Sequence, residues 1–148
     1  MIEVTQISAD KKEEKSWKRL VFLHDIEEVV ELPESKQTWI IQSSKHGLCW
    51  KRNYIKVAES FNEIKEKIQN FFVFEITEKM ESGYLLRRLI RFTELEAILE
   101  GDNLYETTLV LNHRSGLFGK REWITVAESF NDFKQRIEAR LRGEFDEY

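Results

Sequence analysis

The hexapeptide Val57-Ala58-Glu59-Ser60-Phe61-Asn62 recurs unchanged as Val126-Ala127-Glu128-Ser129-Phe130-Asn131, 69 residues further along a chain of 148. The match extends well past the phrase. Across residues 47–68, 13 of 22 positions are identical to the residue 69 later. Agreement of that extent at one offset marks a tandem duplication, so the fold has to be built twice. Each copy is short for burying a core of its own, whereas the whole chain has the usual size of one compact domain. The expectation is repeat 1 over residues 1–69 and repeat 2 over 70–148, forming one pseudo-dimeric unit about a pseudo-twofold axis at a constant offset.

Ten Phe, four Trp and four Tyr supply enough apolar area for an ordered core, and a charged fraction of 34% suits a small body with much surface. No apolar run approaches the ~18–20 residues of a membrane span, and Met1-Ile2-Glu3-Val4 lacks the basic and then apolar order of a secretory leader. The expectation is a cytoplasmic protein with no membrane partner. The single cysteine, Cys49, excludes an internal disulfide framework. Its counterpart is Phe118, which favours a small hydrophobe over a reactive thiol.

Period-two apolar runs put first strands at residues 2–7 and 71–76 and second strands at 17–23 and 86–92, with polar loops at 8–15 and 77–83 between them. The next segment is ambiguous. Ile26, Val29 and Val30, like Leu95, Ile98 and Leu99, fall at i, i+3, i+4, and Thr93-Glu94-Leu95-Glu96 with Gly101 resembles a capped short helix. The segment is shorter than a secure helix and Val-Val favours a strand, so a strand is expected in the first copy while the second stays open. Pro33 and Gly101-Asp102-Asn103 mark turns. Residues 38–42 and 107–111 run through loops carrying Gly47 and Gly116 into 52–57 and 121–126, giving two hairpins. Ser60 with Glu63, and Ser129 with Asp132, form S-x-x-E/D boxes that start helices. Phe61, Ile64 and Ile68, and Phe130, Phe133, Ile137 and Leu141, lay one apolar stripe each on the sheet. The acidic tail at 143–148 is expected to fray. The fold class is therefore α+β, a duplicated module of about four strands and one C-terminal capped helix.

Asp25-Ile26-Glu27-Glu28-Val29, the Pro33 turn, Thr38-Trp39-Ile40-Ile41, Tyr54-Ile55-Lys56-Val57-Ala58-Glu59-Ser60 and the terminal Lys67-Ile68 follow one another in an order that resembles the small flagellar-operon proteins called FlbD or SwrD. The resemblance covers most of the first copy and the last third of the second, and implies a β-rich body with a short C-terminal helix and a flagellar role. The step from strand to capped helix is also similar to the LytTR group of DNA-binding domains.

Nothing in the chain has a catalytic, metal or cofactor pattern, and a non-enzyme without cofactor is expected. His24, His46 and His113 align with Thr93, Ser115 and Ser44, so none belongs to the repeated module, and all three read as loop or surface residues. Glu59 and Glu128 are repeated, but one residue before a helix cap each reads as a solvated edge residue. The basic hairpins stand out more. Residues 44–56 hold Lys45, Lys51, Arg52 and Lys56, and residues 112–121 hold Arg114, Lys120 and Arg121, with no acid in either stretch. Trp50, Tyr54, Phe118 and Trp123 interleave with them, as in surfaces that hold a phosphate beside a stacked base. Strand alternation alone would give the same pattern, with aromatics on the core and cations in solvent. Candidate binding residues are thus Lys45, Trp50, Lys51, Arg52, Tyr54, Arg114, Lys120, Arg121 and Trp123. Two functions follow: a protein-interaction or regulatory module with an unidentified protein partner, or a nucleic-acid or nucleotide binder using the hairpins. The oligomeric state is not legible.

Overall fold

The computed structural model describes residues 1–8, 15–68, 73–113 and 119–143, without the side chain of His46. Arg114, Gly116, Phe118, the start of the expected strand at 71–76 and the tail at 144–148 lie outside the described residues.

The first half runs β1 (Ile2–Ile7), β2 (Ser16–Val21), β3 (Ile26–Glu31), β4 (Thr38–His46), β5 (Cys49–Val57) and α1 (Phe61–Ile68). The second runs β6 (Val73–Lys79), β7 (Leu85–Arg91), β8 (Leu95–Glu100), β9 (Thr107–His113), β10 (Lys120–Val126) and α2 (Phe130–Leu141). The class is α+β, but each half has five strands where about four were expected, and 77–79, read as loop, continue a strand. The ambiguous segments resolve alike: a short 3-10 turn, at Leu23–Asp25 or Phe92–Glu94, leads into a strand. The helix-like spacing has a plain cause. Both strands shift register at the same place, between Ile26 and Glu28 against β4 and between Leu95 and Ala97 against β9. The extra residue of a bulge breaks the two-residue period, so apolar positions three apart come to share one face.

All ten strands form one sheet in the order β2-β1-β5-β4-β3-β7-β6-β10-β9-β8. The order within the halves is the same, and the β4–β5 and β9–β10 registers agree at an offset of 69, with Thr38 opposite Val57 and Thr107 opposite Val126. The first strands depart from it. Gln6 faces Val57 and Glu78 faces Val126, so β1 and β6 correspond at an offset of 72. The connection from β1 to β2 has eight residues and that from β6 to β7 five, which absorbs the difference. The offset is therefore not constant.

The pseudo-twofold axis is also corrected. The halves join through β3 and β7, antiparallel, with Glu28 opposite Ile90 and Val29 opposite Leu89. β7 is the counterpart of β2, not of β3, and under twofold symmetry a contact from β3 to the counterpart of β2 would bring its reciprocal, β8 against β2. Those two strands instead lie at opposite ends of the sheet. The arrangement is head to tail.

Two cores result. Ile2, Val4, Val21, Val29, Ile40, Ile55 and Val57 pack with Phe61, Ile64 and Ile68 of α1, and Leu89 of β7 joins them. Phe74, Ile76, Ile90, Leu109, Leu111, Ile124 and Val126 pack with Phe133 and Ile137 of α2. Because adjacent strand residues point to opposite faces, Leu89 in one core and Ile90 in the other set the two cores on opposite faces of the shared sheet at β7.

The helix starts are where the serine boxes place them. Ser60 Oγ accepts from Glu63 N–H at 3.2 Å while Glu63 accepts from Ser60 N–H at 3.3 Å. Ser129 Oγ accepts from Asp132 N–H at 3.2 Å. Ser60→Ala and Ser129→Ala are each expected to lower stability by about 0.5–2 kcal/mol, since either change removes the Oγ acceptor of one first-turn amide. Urea melts of both variants that overlay the parent's would show that the caps contribute nothing. Gly47, at φ 64°, turns the first hairpin, whereas Gly101 is required by proximity, since a Cβ there would lie 2.5 Å from the Glu106 carbonyl oxygen. Among the described residues no helix is long and apolar enough to cross a membrane.

Candidate functional site

The basic hairpins do not form one cationic face. On β5, Trp50, Arg52 and Tyr54 point to one side of the sheet, and Lys51 to the other, with Ile55 and Val57. Arg52 is turned inward: its Nε lies 3.1 Å from Glu27 Oε2 and its Nη2 3.7 Å from Glu28 Oε2. Arg121 makes the corresponding pair in the second half, 2.6 Å from Glu96, but stays exposed at the surface. Glu27 and Glu96 are the extra residues of the two bulges, so each bulge aims a carboxylate at the arginine of its neighbouring hairpin. Aromatics inward and cations outward is therefore not the pattern: Arg52 shares the face of Trp50 and Tyr54, and Tyr54 and Trp123 are exposed. Tyr54 and Trp123 are 59% and 65% exposed, and the Arg52 guanidinium sits 5.7 Å from the Tyr54 ring centre. Lys45, Lys51 and Lys120 are exposed and Trp50 is half-buried. Cys49, read as a small hydrophobe, is exposed beside the Gly47 turn.

The strongest electrostatic feature lies elsewhere, on the joint between the halves, in residues the sequence reading passed over. Arg88 of β7, 4% exposed, reaches three carboxylates on three strands: Glu28 of β3, Glu78 of β6 at 2.5 Å and Glu122 of β10 at 2.8 Å. Burial alone would lower its pKa, but Glu28 and then Glu122 hold it above the ordinary arginine value. His113, at the end of β9, is 4% exposed and not the surface residue expected. Its Nδ1 is 3.1 Å from Glu27 Oε1 and its Nε2 2.9 Å from Glu122 Oε1. Burial opposes its charged form, yet the hydrogen bonds to Glu122, Glu27 and Glu94 raise its pKa to about 11. The carboxylates respond accordingly. Glu122 falls to about 2, first through the His113 hydrogen bond. Glu27 is lowered in spite of burial by His113, Ser43 and Arg52. Glu94 is pushed up to about 7 by its burial, which outweighs the His113 hydrogen bond.

Glu27, Glu94 and His113 place one ligand atom each within 4.8 Å of one another and could geometrically hold a metal ion. The electrostatics favour another occupant. The three carboxylates hold the His113 pKa well above its ordinary value, so the imidazolium can itself supply the positive charge between them. A second network flanks the joint on the opposite face. Arg87 lies 3.7 Å from Glu31 across the seam and 2.6 Å from Glu75, and Lys65 of α1 lies 2.9 Å from Glu75.

No protein-family model, characterised protein or solved structure matches this chain.

Glu59 and Glu128, expected as solvated edge residues, hold elements together. Glu59 accepts from the Thr5 N–H at the point where β5 leaves β1, and Glu128 takes Arg136 of α2 at 3.0 Å. His24 is on the surface, as expected. One sequence signal for the joint did exist: Glu28, His113 and Glu122 have uncharged counterparts in Ala97, Ser44 and Asn53. Such asymmetry suits a head-to-tail contact, in which equivalent positions of the two halves meet different surroundings.

The two sheet ends complete the site. β3 and β8 hold the same place in their halves, yet Ile26, Glu27, Glu28, Val29 and Val30 are all buried, while Glu96, Leu99 and Glu100 are exposed. β7 covers β3, and among the described residues no strand lies beyond β8. At the other end β2 is the bare counterpart of β7, with Trp17, Leu20 and neighbouring Phe22 at 46%, 57% and 52% exposure.

Proposed function

We propose that this protein is a non-enzymatic protein-interaction or regulatory module, a tandem duplication of a five-stranded unit with a capped helix, which takes its protein partner by strand addition at an open sheet edge. The observation that carries this reading is the exposure of β8 and β2 at positions where β3 and β7 are buried against each other. An edge strand offers a row of backbone donors and acceptors, and exposed apolar side chains along it select the incoming strand. The charge network has a structural role here, locking the halves in one register so that both edges are held rigid.

A second reading, nucleic-acid binding by the hairpins, draws on exposed Lys45, Lys51 and Lys120 beside Trp50 and Trp123. It is the weaker one, because Arg52 and Arg121, the residues suited to clamp a phosphate, are engaged by Glu27, Glu28 and Glu96.

Extract of the source cell passed over immobilised protein separates the two. Leu20→Lys and Leu99→Lys, at the two edges, are expected to reduce capture of the partner by about tenfold or more at whichever edge is used. Lys51→Glu with Lys120→Glu is expected to leave capture intact. The opposite pattern, together with anisotropy binding of a mixed-sequence single-stranded oligonucleotide that falls steeply with salt, would establish the nucleic-acid reading instead.

A further inference from the structure

We infer that the partner for these edges is a second copy of this chain, joined head to tail by β8 of one molecule pairing with β2 of the next in the register that β3 and β7 use within the chain. The inference rests on reading the edges as binding surfaces and names their occupant. The internal joint supplies the template. It pairs Glu28 with Ile90, Val29 with Leu89, Val30 with Arg88 and Glu31 with Arg87. β8 corresponds to β3, and β2 to β7, both at the 69-residue offset. Carried to the open edges, the same register sets Ala97 opposite Val21, Ile98 opposite Leu20, Leu99 opposite Arg19 and Glu100 opposite Lys18. Each pair is compatible. Apolar faces apolar where the template has Val29 and Leu89, and Glu100 faces Lys18 where the template has Glu31 and Arg87.

The match also extends to the residues around the strands. Arg19 occupies the place of Arg88 and is already extended by hydrogen bonds to Gln6 at 2.9 Å and Gln42 at 3.1 Å, as Arg88 is by Glu78. Both bare strands have six residues, the length of β3. A head-to-tail contact of this kind does not use up its own surfaces, since the joined pair again ends in a free β2 and a free β8. The contact between molecules is weaker than the internal one. Ala97, Gln6 and Asn53 stand in place of Glu28, Glu78 and Glu122, so no buried charge network forms, and association is reversible and dependent on concentration.

Sedimentation velocity over a concentration series, with Leu20→Lys and Leu99→Lys as the two edge variants, tests this. Both residues are exposed, so the variants are expected to keep the parent's circular dichroism and melting curve. The parent is expected to exceed the mass of one chain as concentration rises, and each variant alone to associate at least about tenfold more weakly. Mixed together, the variants are expected to form a one-to-one pair that grows no further, because intact β8 of the Leu20→Lys chain meets intact β2 of the Leu99→Lys chain. Lys18→Glu is expected to weaken association and Glu100→Lys on the partner copy to restore it, which covers the case of a variant that fails to fold. A parent that sediments as one chain throughout, a variant that still associates alone as the parent does, or a mixture that stays monomeric would each overturn the inference. If the parent is monomeric yet its edge variants lose the protein captured from extract, the occupant is a different protein and the functional reading stands. Capture governed by the hairpin lysines would remove that reading as well.

Discussion

Arg88→Met is expected to destabilise the protein by about 3–5 kcal/mol, the cost of leaving buried charge without its partner. The side chain is 5% exposed and its Nε, Nη1 and Nη2 face Glu28, Glu78 and Glu122, so one deletion takes a cation from carboxylates on β3, β6 and β10 together, leaving Glu28 only the more distant Arg52 and Glu122 only His113. Methionine fills much of the volume but offers no donor. Arg88→Lys should recover only part of the loss, because a point charge cannot present three separate donors to three strands. Urea unfolding at neutral pH measures both variants, and the deficit of Arg88→Met should shrink as the solution is acidified and protons neutralise the orphaned carboxyls. A deficit below about 1 kcal/mol would place Arg88 among surface ion pairs and deny it a role in holding the joint.

His113→Leu is expected to cost about 3 kcal/mol at neutral pH and, more diagnostically, to change the shape of the stability–pH curve. In the parent, the His113 pKa is raised from 6.5 to about 11. Its contribution is therefore complete below pH 6.5 and is lost as pH rises through about 11. Glu122 works in the other direction: lowered to about 2, it contributes above pH 4.5 and loses that contribution as pH falls toward 2. Glu94, raised to about 7, favours folding only while it is protonated, an effect complete below pH 4.5 and gone above about 7. The leucine variant should lose the alkaline decline owed to His113 and soften the acid limb owed to Glu122. Urea midpoints of parent and variant across pH 3–11 give the difference curve, from which groups not coupled to His113 cancel. A pH-independent difference would mean that His113 packs there as a neutral ring.

Both effects depend on the halves meeting through unlike edges, and this is where sequence and structure diverge. The repeated sequence phrases, the α+β class, the hairpins and the two serine-capped helix starts are all local properties. Ser60, Glu63, Ser129 and Asp132 satisfy backbone amides within one turn, and the period of the apolar residues states which face is buried, so they can be read without knowing what lies across the sheet. The bulge at Glu27 and Glu96 disturbed that period just enough to imitate a helix. Its recurrence in both halves shows it to be part of the module.

The joint was not legible in this way. A repeat announces two equivalent units but carries no information on whether they meet by a twofold or head to tail, because both arrangements bury the same apolar positions within each unit. Comparing the copies made His113 look incidental, as its counterpart is Ser44, and Arg52 looked available because residues 44–56 contain no acid. The charge of Arg52 is in fact spent on Glu27 and Glu28, and the sheet brings His113 to Glu27 from 86 positions further along the chain. By itself the sequence determined the module and its caps through short-range hydrogen bonding and periodicity. Only the tertiary structure decided which edges join, which charges are buried and which strands stay open, because those depend on pairing between strands far apart in the chain.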